Sequence, residues 1–193
     1  MTEGWYTAVA PETPLTQGDF ILDCPLLAWA ARDVVLDVGP EGEFFRAATR
    51  AIRADVVVMT QACDLENHKV SEVILCPQLP VSEYRGYWEE QMIARNQTPT
   101  ARAWRNHWSD ICDGYLWNLA MLKAGRAAGL ATEHRIVDFH EVYTVPREFL
   151  ESLNGRRAQP RLRLLPPYRE HLSQAFARFF MRVGLPVAIV PLP

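Results

Sequence analysis

A run of β-branched residues constrains the fold of this chain more than any other feature. Residues 56–61 read VVVMTQ, three valines and a methionine followed by two polar residues. Branching at Cβ favours extended backbone, and a short apolar run of this kind is typical of a buried strand. A second run, VSEVILCPQ at residues 70–78, follows the polar stretch CDLENHK. Together the two runs predict an antiparallel hairpin.

The chain as a whole, residues 1–193, predicts a single α+β domain. Strand patterns place residues 17–80 and 133–146 in a sheet part, whereas apolar residues at helical spacing place 83–130 and 147–185 in a helical part. In the first helical segment this spacing extends through residue 122. We expect the sheet part to form a small SH3-like antiparallel barrel or a bent sheet that packs against two longer helices.

The net charge of −3 is unevenly distributed along the chain. Residues 1–84 carry five Lys/Arg against thirteen Asp/Glu, whereas residues 85–193 carry fifteen against ten. Most of the positive excess lies in 143–182, with eight Arg against three Glu. An acidic half and an arginine-rich half predict a polar partner, either RNA or a protein. The alternative is that the two halves face each other or that the charges are solvated.

The location of the protein is predicted from what its sequence lacks. No apolar run reaches the roughly 18 residues of a membrane span, and no secretory signal is recognisable at the N-terminus. The four cysteines are widely spaced and form no CxxC pair. These features predict a cytoplasmic protein with reduced thiols and no membrane contact.

The stretch after VVVMTQ contains candidate catalytic residues. Cys63, Asp64 and His68 lie within six residues of one another. A thiol becomes a nucleophile when a base or cation lowers its pKa, and His68 or the distant His107 or His140 are candidates for that base. The neighbouring carboxylates oppose a thiolate. The alternative is that Cys63 closes the strand as a small apolar residue while Asp64 bonds the turn backbone.

Metal binding is a weaker interpretation of the same stretch. Two Cys/His pairs, Cys63 with His68 and His107 with Cys112, have four residues between their members. On an unbroken helix, however, His107 and Cys112 point about 140° apart. We therefore predict no metal and no cofactor. Phosphate-loop, zincin and hydrolase-elbow motifs are also absent from the sequence.

Arginines in the C-terminal part are candidate binding residues. The guanidinium group suits phosphate and carboxylate because its donors form a fixed fork. The alternation in RLRLL, residues 161–165, predicts that its two arginines share an exposed strand face. The candidates for partner binding are Gln61, Arg156, Arg157, Arg161, Arg163 and Arg169.

Tryptophan is concentrated in the middle of the chain, and this has two interpretations. Four tryptophans lie in thirty residues, Trp88, Trp104, Trp108 and Trp117. They predict either the core that joins helix to sheet or, alternatively, a platform on which nucleic-acid bases stack.

Residues 17–80 resemble the MazF/PemK growth-inhibitor barrel. That family has a first strand with Gly-Asp, an apolar strand ending in Ser or Thr, a loop with Asn and a further strand ending in Pro. The matching pieces are Gly18-Asp19, Val56–Thr60, Asn67 and Val73–Pro77. The stretch TQACDL also resembles small uncharacterised bacterial proteins with Ser/Thr-Gln-x-Cys-Asp after an apolar strand, a resemblance that implies no activity.

The growth-inhibitor resemblance implies a bacterial toxin-like protein that binds RNA or a protein partner. Arg53 takes the place of the family's catalytic arginine one residue out of register, and no threonine follows Pro77. The ribonuclease pair is therefore degenerate. The expected pocket comprises Arg53, Gln61, Cys63 and Asp64. Two alternatives stay open, a Cys63-centred hydrolase or transferase and a structural subunit of a larger assembly.

Overall fold

The computed structural model describes residues 4–29 and 48–181 of the 193. The strands are β1 (Tyr6–Val9), β2 (Phe20–Trp29), β3 (Thr49–Val58), β4 (Glu72–Pro80), β5 (Leu119–Leu122), β6 (Gly125–Ala127), β7 (Leu130–Thr132), β8 (Arg135–Asp138), β9 (Tyr143–Pro146) and β10 (Arg161–Leu164). The helices are α1 (Ala62–Glu66), α2 (Val81–Ala94), α3 (Ala101–Cys112), α4 (Arg147–Arg157) and α5 (Tyr168–Phe180). Antiparallel sheets combined with helices confirm the predicted α+β class. Residues 30–47 of the predicted sheet part and residues 182–185 of the predicted helical part lie outside the described residues.

The main sheet is built around the predicted hairpin. Its strand order is β2-β3-β4-β8-β5, and β9 pairs with β4 as well. The two apolar runs pair antiparallel, with Val57 opposite Cys76. On its other edge β4 pairs first with β9, through Val73, and then with β8, through Gln78. Pro77, which has no N–H to donate, lies between these pairings, so β4 belongs to two successive sheet segments.

None of the sheets in the described ranges closes into a barrel. The SH3-like form of the prediction is therefore not confirmed. In the described residues β2 pairs with β3 alone and β5 pairs with β8 alone, so the path of strands has two ends. Two smaller sheets, β1 with β10 and β6 with β7, flank it.

Strands interrupt the part of the chain that was expected to be helical. The helical spacing of apolar residues extends to residue 122, but α3 ends at Cys112 and β5 begins at Leu119. Gly114 has a φ of +72°, the left-handed conformation that commonly terminates helices, and it lies two residues beyond α3. The chain leaves the helix there and joins the edge of the sheet.

Three apolar cores hold the helices on the sheets. One lies under β2, β3, β4 and β9 and includes Leu150 of α4. The second includes β1, β10 and Leu172 of α5. The third joins α2 and α3 to β5 and β8. No helix in the described ranges has the length and apolar character needed to cross a bilayer.

Candidate functional site

The residues predicted around Cys63 lie at the protein surface on α1. Cys63 is exposed, and its Sγ lies 3.8 Å from Gln61 Oε1 and 3.7 Å from Asp64 Oδ1. Asp64 also faces Lys69 Nζ at 3.7 Å. No imidazole of the described residues lies within hydrogen-bonding distance of the sulfur. The geometry therefore gives Cys63 a carboxylate neighbour and, among the described residues, no histidine to act as its base.

His68 is held by α4 instead. Arg147 Nη1 lies 2.7 Å from His68 Nδ1 and 3.2 Å from the carbonyl oxygen of Leu65. Arginine only donates, so Nδ1 of His68 is the acceptor in this contact. A further bond of 2.7 Å joins Arg147 Nε to Glu151. His68 thus fastens the turn after α1 to the start of α4.

The structure places no metal centre at either Cys/His pair. No group of three or more His, Cys, Asp or Glu side chains in the described ranges is arranged to hold a metal ion. In the second pair, His107 forms its hydrogen bond with Tyr84.

The two arginines of RLRLL share a face as predicted, but the prediction that this face is exposed is wrong. Arg161 is 7% exposed, and both Arg161 and Arg163 form ion pairs with Asp19, which is fully buried. Arg161 Nη2 lies 2.8 Å from Asp19 Oδ2. Arg161 also donates to backbone carbonyls of residues 10, 11, 13 and 14. These side chains form a buried ion cluster that fastens β10 to the N-terminal segment.

The other predicted arginines have partners at the surface. Arg53 and Arg157 both reach the carboxylate of Asp23, at 2.7 Å and 3.7 Å. Arg53 and Asp23 are each more than half exposed, and such pairs contribute little to stability. Arg53 has no hydrogen bond or ion pair with the candidates on α1 in the described ranges. The remaining two bind within their own helices, Arg156 to Ser152 O at 3.4 Å and Arg169 to Glu170 at 2.7 Å.

A cleft of about 490 Å³ lies between α2, α3 and the ends of β5 and β8. Its floor is the third apolar core, in which Tyr84 and Trp88 of α2 pack on Ile136 of β8. Tyr84 and Trp88 are 7% and 9% exposed, whereas Tyr87 on the same helix is 50% exposed. Positions 84, 87 and 88 share one face of α2 because they are three or four residues apart. The cleft therefore has one aromatic wall.

His107 of α3 stacks against this wall. Its ring is nearly parallel to that of Tyr84, with an angle of 6° and 5.9 Å between centroids, and Trp88 stacks on it at 5.4 Å. The hydroxyl of Tyr84 lies 2.9 Å from His107 Nε2. Burial lowers the pKa of His107 although Asp110 opposes this, and burial raises the pKa of Tyr84. The imidazole is thus neutral at pH 7 and the phenol protonated, so Tyr84 can donate to Nε2.

The rim of the cleft supplies polar groups. The side chains of Gln91, Arg95 and Asn118 line it and have no hydrogen-bond or ion-pair partner among the described residues. Asp138, at the end of β8, accepts a 2.9 Å hydrogen bond from the backbone N–H of His140 and lies 3.3 Å from the Nδ1 of the same residue. The cleft therefore combines aromatic faces with two amides, a carboxylate, two imidazoles and a guanidinium group.

Most residues of this cleft were not among the sequence candidates. The signals that point to it are the aromatic spacing in α2 and the concentration of tryptophan in the middle of the chain. Trp88, Trp104 and Trp108 belong to the third core, as the first interpretation of the tryptophans expected, and Trp117 is 44% exposed. Asn118 immediately precedes β5, whereas Asp138 and His140 lie together at the end of β8, and no sequence spacing connects these residues to α2.

Comparison with known proteins gives no match: no family model, no curated protein and no solved structure is significantly similar to this chain. The geometry alone therefore carries the functional argument.

Proposed function

We propose that this protein binds single-stranded RNA through the cleft between α2, α3 and the ends of β5 and β8. The observation that carries the proposal is the combination of an aromatic wall with unpartnered polar side chains at its rim. Protein sites for unpaired bases use aromatic side chains for stacking and polar groups for the base edges. The cleft offers both to one ligand.

The aromatic wall has an accessible ring. Tyr87 is half exposed at the cleft and can stack a base, whereas Trp88 beneath it is fixed by the core. The loop 113–118, which contributes Leu116 and Asn118 to the cleft, also carries Tyr115 at 71% exposure. Aromatic rings therefore extend beyond a single base site, and this favours a polymer over a mononucleotide.

The rim provides contacts for base edges and for a phosphate. Gln91 and Asn118 each have amide donors and acceptors, and Asp138 accepts. Arg95 is the cation of the cleft and has no ion-pair partner in the described ranges, so its guanidinium group is available for a phosphate. Arg95 takes this role from the predicted Arg161 and Arg163, because the buried carboxylate of Asp19 already binds both of them.

We also infer that the chain is a growth-inhibitor-type protein that binds RNA without cleaving it. The positions of three matching pieces support the growth-inhibitor type. They lie at or next to three neighbouring strands, β2, β3 and β4, and are Gly18-Asp19, the run at 56–60 and Pro77. What supports the loss of cleavage is the residue after Pro77. That residue is Gln78, which is fully buried and donates to the carbonyl of Val56 at 3.0 Å.

The test is fluorescence anisotropy with a labelled single-stranded RNA of about 12 nucleotides, within the range that such sites cover. Tyr87→Ala removes the accessible ring, and a base stack contributes about 1–3 kcal/mol, so the Kd rises about 5- to 160-fold. The matched control is Ile93→Ala, since Ile93 is 62% exposed on the same helix and does not line the cleft.

The salt dependence provides a second readout. Arg95→Gln lowers the slope of log K against log salt by about 0.7, the value for one phosphate of a single strand. Arg102→Gln, an exposed arginine of α3 outside the cleft lining, leaves the slope unchanged. Absence of binding, binding independent of salt, or equal affinity of the Tyr87 and Ile93 variants contradicts the proposal.

A further inference from the structure

A second cavity, separate from the cleft, lies between the start of β2, β7 and the connection from α4 to β10. Its volume is about 120 Å³. Apolar side chains of Phe20, Leu130 and Leu162 line one part of it, and guanidinium groups of Arg135 and Arg157 line another. No residue lines both this cavity and the cleft.

Two arginines at this cavity keep unused donors. Arg135 donates through Nε to Thr132 at 3.0 Å and through Nη1 to Asp55 at 2.8 Å, and its Nη2 has no partner in the described ranges. Arg157 donates through Nη1 and Nη2 to the carbonyl oxygens of residues 22 and 23. Its Nε likewise has no hydrogen bond to any described residue. A third arginine, Arg161, also lines the cavity but is saturated by Asp19 and backbone carbonyls.

The charge around the cavity is positive. The ion pairs near it form three separate groups: Arg135 with Asp55, Arg53 and Arg157 with Asp23, and Arg161 and Arg163 with Asp19. The first group is neutral, and each of the other two has one positive charge in excess. The side chain of Arg135 is only 11% exposed and that of Arg157 is 27% exposed, so solvent screens them weakly.

We propose that this cavity binds a small carboxylate with an apolar body. The carboxylate receives hydrogen bonds from Nη2 of Arg135 and Nε of Arg157, and the body contacts Leu130 and Leu162. An apolar protein cavity of about 150 Å³ holds one benzene molecule, which has about six heavy atoms. The cavity of about 120 Å³ therefore holds a ligand of about five or six heavy atoms with its carboxylate included, which is the size of butyrate. Inorganic phosphate fits less well because it leaves the apolar lining without contacts.

The probes are butyrate, the neutral 1-butanol and inorganic phosphate, measured on the full chain by titration calorimetry and by the shift of Tm. Butyrate binds saturably at millimolar or lower concentration and raises Tm, and the other two bind at least about 10-fold more weakly, because each lacks either the charge or the body. Absence of saturable butyrate binding, or equal binding of phosphate or 1-butanol, overturns the proposal.

Variants test where the ligand binds. Arg157→Gln weakens butyrate binding about 10-fold or more, whereas Arg156→Gln, one residue earlier in the same helical turn and outside the cavity, leaves it unchanged. Ala131→Leu keeps every charge and fills the space, so it abolishes binding while circular dichroism confirms the fold. Butyrate binding that persists in the folded Arg157 and Ala131 variants overturns the assignment. These outcomes are independent of RNA binding.

Discussion

The buried carboxylate of Asp19 gives the sharpest stability prediction. It is fully buried and accepts hydrogen bonds from the backbone N–H of Thr16 at 3.2 Å, from Arg161 Nε at 2.8 Å and from Arg163 Nη2 at 3.0 Å. Removing one partner of a buried ion pair leaves the other charge uncompensated, which costs about 3–5 kcal/mol. Asp19→Asn keeps the shape and removes the one negative charge that Arg161 and Arg163 share, so we expect a loss of about 3 kcal/mol or more.

Urea denaturation measures this loss. With an m-value of roughly 2 kcal/mol/M, a loss of 3–5 kcal/mol lowers the midpoint by about 1.5–2.5 M while m stays constant. The matched control is Asp23→Asn. Asp23 also faces two arginines, Arg53 and Arg157, but its side chain is 62% exposed. We expect the control to lose no more than about 1 kcal/mol. Equal midpoints for the two variants would refute the argument that burial makes the Asp19 cluster essential.

Two further predictions follow from the pKa values. Burial raises the pKa of Cys24 to about 11 and that of Cys76 to about 12. We therefore expect iodoacetamide at pH ~8 to modify the exposed Cys63 and to leave Cys24 and Cys76 unmodified until urea unfolds the chain. Mass spectrometry that finds Cys76 alkylated in the folded protein contradicts this. Burial lowers the pKa of His107 in the folded protein below its ordinary 6.5. Between the lowered pKa and 6.5 the unfolded chain therefore binds more protons than the folded protein, so the contribution of His107 to stability falls as pH drops below 6.5. His107→Gln should reduce this fall, measured by urea midpoints at about pH 7 and pH 5.5, and an unchanged pH dependence counts against a buried neutral imidazole.

The central hairpin could be predicted because local chemistry determines it. The valines at 56–58 need a buried extended backbone, and they pair with VSEVILCPQ as the pattern indicates. A proline inside a strand pattern, by contrast, usually argues against a strand, yet β2 continues through Pro25 to Trp29. In the described residues β2 pairs with one neighbour alone, and an edge strand tolerates a residue without N–H. Edge position is a property of the whole sheet and is not visible in a local pattern.

The candidate site was less predictable because its parts are distant in sequence. The polar stretch after VVVMTQ attracts attention, but its His68 is bound by Arg147, seventy-nine residues away. Likewise, the alternation in RLRLL correctly places two arginines on one face, but it does not reveal that Asp19 lies opposite them. The cleft joins α2, α3 and the ends of two strands, and only the three-dimensional fold brings these together.

The pairing of β1 with β10 has a consequence for synthesis on the ribosome. Tyr6 lies opposite Leu164, so the two partners are separated by 158 positions. At elongation rates of about 5–20 residues per second, β1 leaves the ribosome roughly 8–30 s before its partner strand does. During that interval Asp19 lacks both arginines, and the edge of β1 is open to other chains. We therefore expect chaperones to protect the nascent N-terminal segment during this interval, and pausing in the codons before β10 would lengthen the exposure.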